Sequence, residues 1–492
     1  VIAREDLPVA VIGGGPVGLA AAAHLIERNV PVQVFEAGET VAANMRDWAH
    51  VRVFSPWHLN IDSAARKILT RHGWQEPEAD GLPTGGEIVA RYLKPLADTP
   101  ELRGVIETGA RVVAISRQGL DKVTSRGRAE RPFALTIEGK DGRRRIVLAS
   151  AVIDASGTWQ NPNPMGAAGL PVAGEHAYAD RIAYGIPDIL GAARAAYAGR
   201  RTLVLGGGHS AANVLIDLAT LAETDRDVAI VWALRGTDLS RVFGGGADDQ
   251  LEARGKLGSD LRALVDRGTL QLVTGFSVEE IAEEGGALIV TGRTADGPLT
   301  LGPVDRIVAC TGQRPDLAMT RELRLDLDPW LECARVLGPE IDPNLHSCGS
   351  VPPHGYKQLS HPEPDYFAVG IKSYGRAPTF LMATGYEQVR SIAAFLAGDI
   401  AAADDVQLVL PETGVCTVSF GGEAVTGGGS CCGSPAPKKA EEIKIEAVAE
   451  ASSCCGGPAP GEVDACCVKD AEAKAQGETG CGCGSSAKQQ AA

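Results

Sequence analysis

One stretch near the start of the 492-residue chain constrains its fold more than any other. Residues 9–36 read VAVIGGGPVGLAAAAHLIERNVPVQVFE: a β-branched strand, a glycine turn, an alanine-rich helix and a second strand ending on an acid. That order predicts a βαβ unit with two parallel strands. Its residue types suit a dinucleotide. Gly13 permits the tight turn, Gly15 lets the backbone approach a pyrophosphate, and Gly18 lets the helix pack closely on the strand. Pro16 opens the helix and leaves its free N–H groups and positive dipole end aimed at that pyrophosphate. Glu36 closes the second strand, where its carboxylate can accept hydrogen bonds from two ribose hydroxyls. A bare glycine motif would be weak evidence; here the strand, the helix and the acid at its distance agree.

A second copy of the pattern begins at Arg201, RTLVLGGGHSAANVLIDLATLAE, followed by the strand-like run DVAIVWALRG. Gly206, Gly208 and Ala211 take the three fingerprint positions, with Ser210 at the start of the helix. The acid is missing. Trp232, Ala233, Leu234 and Arg235 stand in its place, and a guanidinium would hold a 2′-phosphate that a carboxylate would repel. The second site is therefore expected to take NADPH, with Arg235 as phosphate reader and Arg241 as a further candidate. The other reading makes Arg235 a solvated strand end.

Each copy is followed by a strand and a small-residue turn, VIDASGT with Gly157 and VACTGQRPD with Gly312. Two such turns would return the chain to its first sheet. Strand-like runs also fall at residues 111–115, 133–137 and 146–153, and PTGGEIVARYLKPL (83–96) reads as a helix with a glycine-rich start. Residues 366–398 give a strand, a glycine loop at Gly370 and a helix. The stretch 42–60 mixes aromatics and arginines; Arg46 and Trp48 either pack and solvate as ordinary residues or line a pyrophosphate and an aromatic ring system.

A net charge of −15 and the lack of any Lys/Arg cluster argue against a nucleic-acid partner. The charged start, Arg4 to Asp6, lacks the apolar core of a signal peptide, and no uncharged apolar run is long enough to span a bilayer, so no membrane role and a cytoplasmic location are expected. Of twelve cysteines, only Cys310, Cys333 and Cys348 precede Pro411. The crowding of the rest points to metal or thiol chemistry in a reducing compartment.

Together these motifs resemble the two-dinucleotide-binding flavoproteins, in particular the flavin-containing monooxygenase branch, in order from Pro8 to Gly398. The resemblance rests on GGGPVG with Glu36, the Arg46–Pro56 run, DASGT, GGGHSA and ACTGQRP. It implies an α/β protein with two Rossmann-like domains, FAD in the first site, NADPH in the second, and transfer of one oxygen atom from O2 to a soft nucleophile. The expected division is 1–160 and 316–410 for the FAD domain, with 161–315 inserted as the NADPH domain. Asn60 lies in the loop resembling the family's contact to oxygenated flavin. Two departures stand out. No CxxC or CxxxxC precedes Pro411, as a dithiol reductase would need, and AGEHAYADRI with His176 only partly matches the monooxygenase pattern before the second fingerprint.

Two cysteine- and histidine-bearing segments remain. Residues 337–361 carry His346, Cys348, His354 and His361 in a proline-rich stretch, either innocent loop residues or a pocket of soft ligands suited to a thiophilic substrate. From Pro411 to residue 492 the composition shifts to Gly, Ser, Ala, Glu, Lys and Cys, which predicts a disordered tail. It holds Cys431-Cys432, Cys454-Cys455, Cys466-Cys467 and the pair Cys481, Cys483. Adjacent thiols make a strained disulfide but a good chelate for a soft ion: As(III), Sb(III) or Hg(II), with Cu(I) or Zn behind. With the flavoprotein core, such a tail resembles the flavoprotein monooxygenase-like proteins found with arsenic-resistance genes.

The leading expectation is an FAD- and NADPH-dependent monooxygenase acting on a thiophilic substrate such as a trivalent arsenical, with Cys333, Cys348 and the tail pairs handling it. The rivals are an NADPH-dependent reductase that passes electrons to vicinal cysteines and on to a metal ion or disulfide, and a metalloid-sequestering protein.

Overall fold

The computed structural model describes residues 4–345, 351–377, 380–406 and 408. The expected tail and its eight paired cysteines, as well as His346 and Cys348, lie outside the described residues.

The chain opens with β1 (Val9–Ile12), α1 (Pro16–Glu27) and β2 (Val32–Glu36). All four residues of β1 are buried, as a strand covered on both faces requires. The alanines of α1 let it approach the sheet closely, and every residue from Leu19 to Ala23 is fully buried. Asp62 caps α2 (Ser63–Arg71) through the Ala65 amide, and α2 packs on α1. The predicted helix at 83–96 runs from Gly85 to Ala97; Thr84 and Glu87 form its capping box, and one wide π turn falls at Val89–Leu93. β3 (Ile106–Thr108) then joins the edge of β2.

Next come β4 (Ala110–Arg117), β5 (Phe133–Gly139) and β6 (Arg144–Ala149), a three-stranded antiparallel sheet. The run expected as one strand over 146–153 is in fact two. β6 is largely exposed at its start, whereas β7 (Val152–Asp154) is wholly buried and lies beside β1 in the parallel sheet. The break at Ser150 and Ala151 is the crossing from one sheet to the other, and their amide and carbonyl bond to Pro8 and Ala10.

The second sheet holds β8 (Ile182–Tyr184), β9 (Arg201–Leu205), α3 (His209–Thr224), β10 (Ala229–Ala233), α4 (Glu252–Asp266) and β11 (Gln271–Val273) with their crossovers. An antiparallel excursion, β12 (Ser277–Glu284), β13 (Ala287–Thr294) and β14 (Gly297–Val304), leads to β15 (Arg306–Ala309), which returns beside β9. β16 (Tyr366–Ala368) then pairs with β7, and α5 (Met382–Leu396) packs on α1. The strand orders are β16-β7-β1-β2-β3 and β11-β10-β9-β15-β8, both parallel throughout. In each, the strand carrying the glycine turn is central and the order reverses beside it, the place where open α/β sheets bind ligands.

Each antiparallel trio packs its apolar face on one parallel sheet. No helix among the described residues is long and apolar enough to cross a membrane.

Candidate active site: two glycine turns and their crossover loops

The first turn is built by close backbone packing. Gly13 has φ +97°, and a Cβ there would stand 2.6 Å from the Ala155 carbonyl oxygen of the turn after β7. At Gly18 a Cβ would overlap the Gly13 carbonyl, so the helix can lie this near the strand only with glycine. Nothing lies within 4 Å of the position a Gly15 side chain would take, and Gly15 caps α1 with no side-chain bond. The N-terminus of α1 is thus open to a phosphate. Glu36 is buried; its two oxygens accept from the Gly14 amide at 2.7 Å and the Gly38 amide at 2.6 Å. A carboxylate has about four acceptor sites, so lone pairs remain for ribose hydroxyls.

Arg46 is exposed on the short helix Ala43–Arg46 and bonds Thr40 through Nε at 3.0 Å. Trp48 is half-buried, with its ring centroid 6.4 Å from that of Trp159. The Trp159 indole donates to Asp47 at 2.9 Å and the Gln160 amide to Asn44 at 2.9 Å. These bonds tie the loop after β2 to the turn containing Gly157.

Asn60 closes its own loop. Its amide nitrogen donates to the Ser55 and Pro56 carbonyls at 2.7 and 2.9 Å, its oxygen accepts the Ser55 hydroxyl at 3.0 Å, and it is fully buried. Both amide protons are used within the loop, which Asn60 locks.

The second turn repeats the first. Gly206 has φ +123°, and a Cβ there would overlap the carbonyl of Cys310, the residue that follows β15 as Ala155 follows β7. Gly208 caps α3 and is open on its side-chain side; Ser210 is half-buried in the first turn of α3, and Ala211 is fully buried. Arg235 is exposed just beyond β10 and donates to the Ala167 carbonyl at 3.2 Å. His209 lies against Phe54 of the first-sheet loop, centroids 5.1 Å apart. Of Arg241 only the backbone is described, in a short helix at Ser240–Phe243.

The two crossover turns meet. Asn163 N donates to Gly312 O at 2.9 Å, Arg314 N to Asn161 O at 3.1 Å, and Pro162 bridges Gln313. The structure thus brings Gly157 and Gly312 onto one seam between the sheets.

Sequence reasoning missed the polar cluster at the end of β7. Lys372 Nζ lies 2.7 Å from Asp154, with Ser156 and Tyr366 around the pair. Asp154 and Ser156 sat in view in DASGT, but their cation arrives more than two hundred residues later. Gly370 is packed against Val17 of α1, and its amide donates to Gln388 at 2.8 Å.

The soft-ligand pocket does not form from the histidines described. His354 is buried: its Nδ1–H donates to Pro352 O at 3.1 Å and its Nε2 accepts the Gln388 amide at 2.9 Å. Burial, which outweighs the Pro352 bond, pushes its pKa below the ordinary histidine value. His361 is lowered by burial as well, and its Nδ1 accepts the Asp326 amide. Among the described residues no group of three or more His, Cys, Asp or Glu could hold a metal ion. Cys310 and Cys333 are free and buried, and burial pushes both thiols up to about 12. Cys333 lines a cavity of about 10 Å³ with His361 and Lys372. His176 is exposed.

Comparison with known proteins agrees with this geometry. The family model described as pyridine nucleotide-disulphide oxidoreductase matches residues 10–332. The chain belongs to that family. No curated protein matches it significantly. Among solved structures, it is similar to a bacillithiol disulfide reductase from Bacillus cereus, at 20% identity over 80% of this chain and 99% of that one, TM-score 0.59. It is also similar to the FAD-bound cadaverine monooxygenase of desferrioxamine biosynthesis from Erwinia amylovora, at 12% identity over 87% and 100%, TM-score 0.56. A double mutant of a flavin monooxygenase from Stenotrophomonas maltophilia gives 22% over 79% and 98%, TM-score 0.51. Such identities establish the shared fold.

As a member of that family the chain is a pyridine-nucleotide oxidoreductase. The first turn, with its open helix end and its buried acid, fits the dinucleotide of FAD; the second, with no acid and an exposed arginine, fits NADPH. FAD, when bound, supplies the hydride acceptance and electron transfer that the side chains lack.

Proposed function

We propose that the protein is an NADPH-dependent monooxygenase-like flavoprotein of the cytoplasm whose substrate is a small, soft, thiophilic nucleophile such as a trivalent arsenical. In this reaction NADPH gives up a hydride, one atom of O2 is added to the substrate lone pair, and the other leaves as water. Residues 1–160 and 316–410 form the FAD domain and 161–315 the NADPH domain. Gly13, Gly15, Gly18 and Glu36 hold the adenosine and pyrophosphate of FAD, with Arg46, Trp48, Gly157 and Gly370 along its path. Gly206, Gly208, Ser210, Arg235 and Gly312 hold NADPH. Cys348 and the cysteine pairs from Cys431 to Cys483 hand over or sequester the substrate.

One observation carries the choice of oxygen as acceptor: both cysteines described in the folded part, Cys310 and Cys333, are buried with thiols raised to about 12. A thiol held protonated is a poor nucleophile, so the described core supplies no dithiol relay. The second reading, an NADPH-dependent reductase passing electrons to vicinal cysteines, draws on the family's disulphide chemistry and the adjacent cysteines of the tail. The test is NADPH oxidation by the purified flavoprotein with arsenite or an organic arsenical, following O2 uptake and product. Equal consumption of NADPH and O2 with pentavalent product supports the oxygenase. Anaerobic turnover with a disulfide or Hg(II), lost when residues after 410 are deleted, would establish the reductase.

A further inference from the structure

The C-terminal end of the first parallel sheet carries a buried ion pair that neither glycine turn requires for its backbone. Asp154 ends β7, in register with Ile12 of β1 and Ala368 of β16, and is wholly buried. Its Oδ2 receives the Tyr366 hydroxyl at 3.0 Å and lies 2.7 Å from Lys372 Nζ. Its Oδ1 receives the Ser156 amide and hydroxyl at 3.1 and 2.6 Å. Lys372 is 2% exposed, and its Nζ also donates to Ser156 Oγ at 2.9 Å. Two separated pieces of chain, 154–156 and 366–372, therefore converge on one carboxylate and one ammonium. Well-packed apolar side chains of the same volume often join such segments as firmly. The charges ask for a further reason.

Their position supplies it. Ile12 immediately precedes Gly13, and the Ala155 carbonyl, between Asp154 and Ser156, is the group against which Gly13 is packed. On the other side, Gly370 rests on Val17 in the first turn of α1. The pair thus stands directly behind the turn that takes FAD, joined to it through one strand neighbour and one helix turn. A reduced flavin carries more negative charge than an oxidised one, and fixed protein charges in a water-poor site bear strongly on that difference.

We infer that Lys372 and Asp154 are a positioning pair of the FAD site: they clamp the crossover turn 154–157 to the segment 370–374 and set the electrostatic balance that fixes the flavin's reduction potential. The inference rests on the assignment of FAD to the first turn.

The experiment compares Lys372→Met, Asp154→Asn and the double variant as FAD-loaded full chains, reading the reduction potential by equilibrium dye titration and FAD release by fluorescence. Lys372→Met leaves the carboxylate unopposed and should shift the potential negative. Asp154→Asn leaves the ammonium unopposed and should shift it positive. Both single variants should release FAD at least tenfold more readily, and the double variant should return towards wild type in both readouts. A purely structural contact would lower thermal stability in all three without opposite potential shifts, and that result, with flavin bound, overturns the inference. Should Lys372→Met not fold, Asp154→Asn and the double variant still decide: a positive shift that the second substitution reverses supports the pair, and its absence refutes it. A wild-type protein that takes up no FAD would instead defeat the FAD assignment itself.

Discussion

The indole N–H of Trp232 donates to the backbone carbonyl of Gly206 at 2.8 Å. In the second unit the end of the β10 strand thus braces the glycine turn with a buried aromatic, where in the first unit Glu36 bonds the Gly14 amide. The register puts Leu234 beside Gly206 where Glu36 stands beside Gly13, so an apolar side chain fills the place of a ribose-binding acid and the charged group comes one residue later, at Arg235.

Replacing Arg235 with alanine should raise the KM for NADPH roughly ten- to a hundredfold, since a hydrogen bond to a charged partner is worth about 1.5–3 kcal/mol. The KM for NADH should hardly move. Rates of anaerobic reduction with each coenzyme check this, and equal use of both by the wild-type protein would remove Arg235 as the phosphate reader.

The two turns should fail independently. At Gly13 a methyl meets the Ala155 carbonyl and at Gly206 the Cys310 carbonyl, each with the backbone at positive φ. Gly13→Ala is expected to purify without yellow flavin absorbance. Gly206→Ala should keep its flavin while NADPH binding, measured by titration, weakens by tenfold or more.

Glu363 anchors the segment before β16 to the antiparallel meander. It accepts from Arg117 Nε at 2.8 Å, from Arg128 Nη2 at 2.7 Å and from the Arg324 amide at 3.0 Å, and is 1% exposed. Burial pushes its carboxyl up, but the Arg128 and Arg117 bonds outweigh burial and leave it below the ordinary glutamate value. A depressed carboxyl contributes stability that is complete above the unfolded value of about 4.3 and is lost as pH falls through the folded value. Glu363→Gln should therefore cost about 3–5 kcal/mol at neutral pH. Its melting temperature should also fall less steeply than that of wild type on acidification below about pH 4.

Cys310 and Cys333 should resist an aromatic disulfide reagent in the native protein at pH 8 and react only after denaturation, with peptide mapping to locate the label. Cys310→Ala should leave NADPH-driven turnover within about twofold of wild type, because a buried thiol of this kind packs like a small apolar group. Rapid native labelling of either residue would reopen the dithiol reading.

What was legible in the sequence was local. Gly13, Gly15, Gly18 and Glu36 announce themselves because a strand, a turn and a helix within some thirty residues dictate each residue type, and Gly206 and Gly208 repeat the grammar. Burial separates β6 from β7, and no break in hydrophobicity at Ser150 marked it. The bonds of Asn60 were hidden for the opposite reason: its partners, Ser55 and Pro56, are its neighbours, and a loop that closes on itself looks the same in sequence as one that does not. Lys372 was invisible because its meaning depends on Asp154, a residue made adjacent only when β16 docks on β7.

The Arg314 amide rests on the Asn161 carbonyl, so the chain leaves for the second sheet and comes back from it at nearly the same point. With entry and exit side by side, the intervening residues should be removable as a cassette. A chain joining residue 161 to residue 314 by a short glycine linker keeps every strand of β16-β7-β1-β2-β3 in its original connectivity. It should yield a miniature flavoprotein that is blind to NADPH.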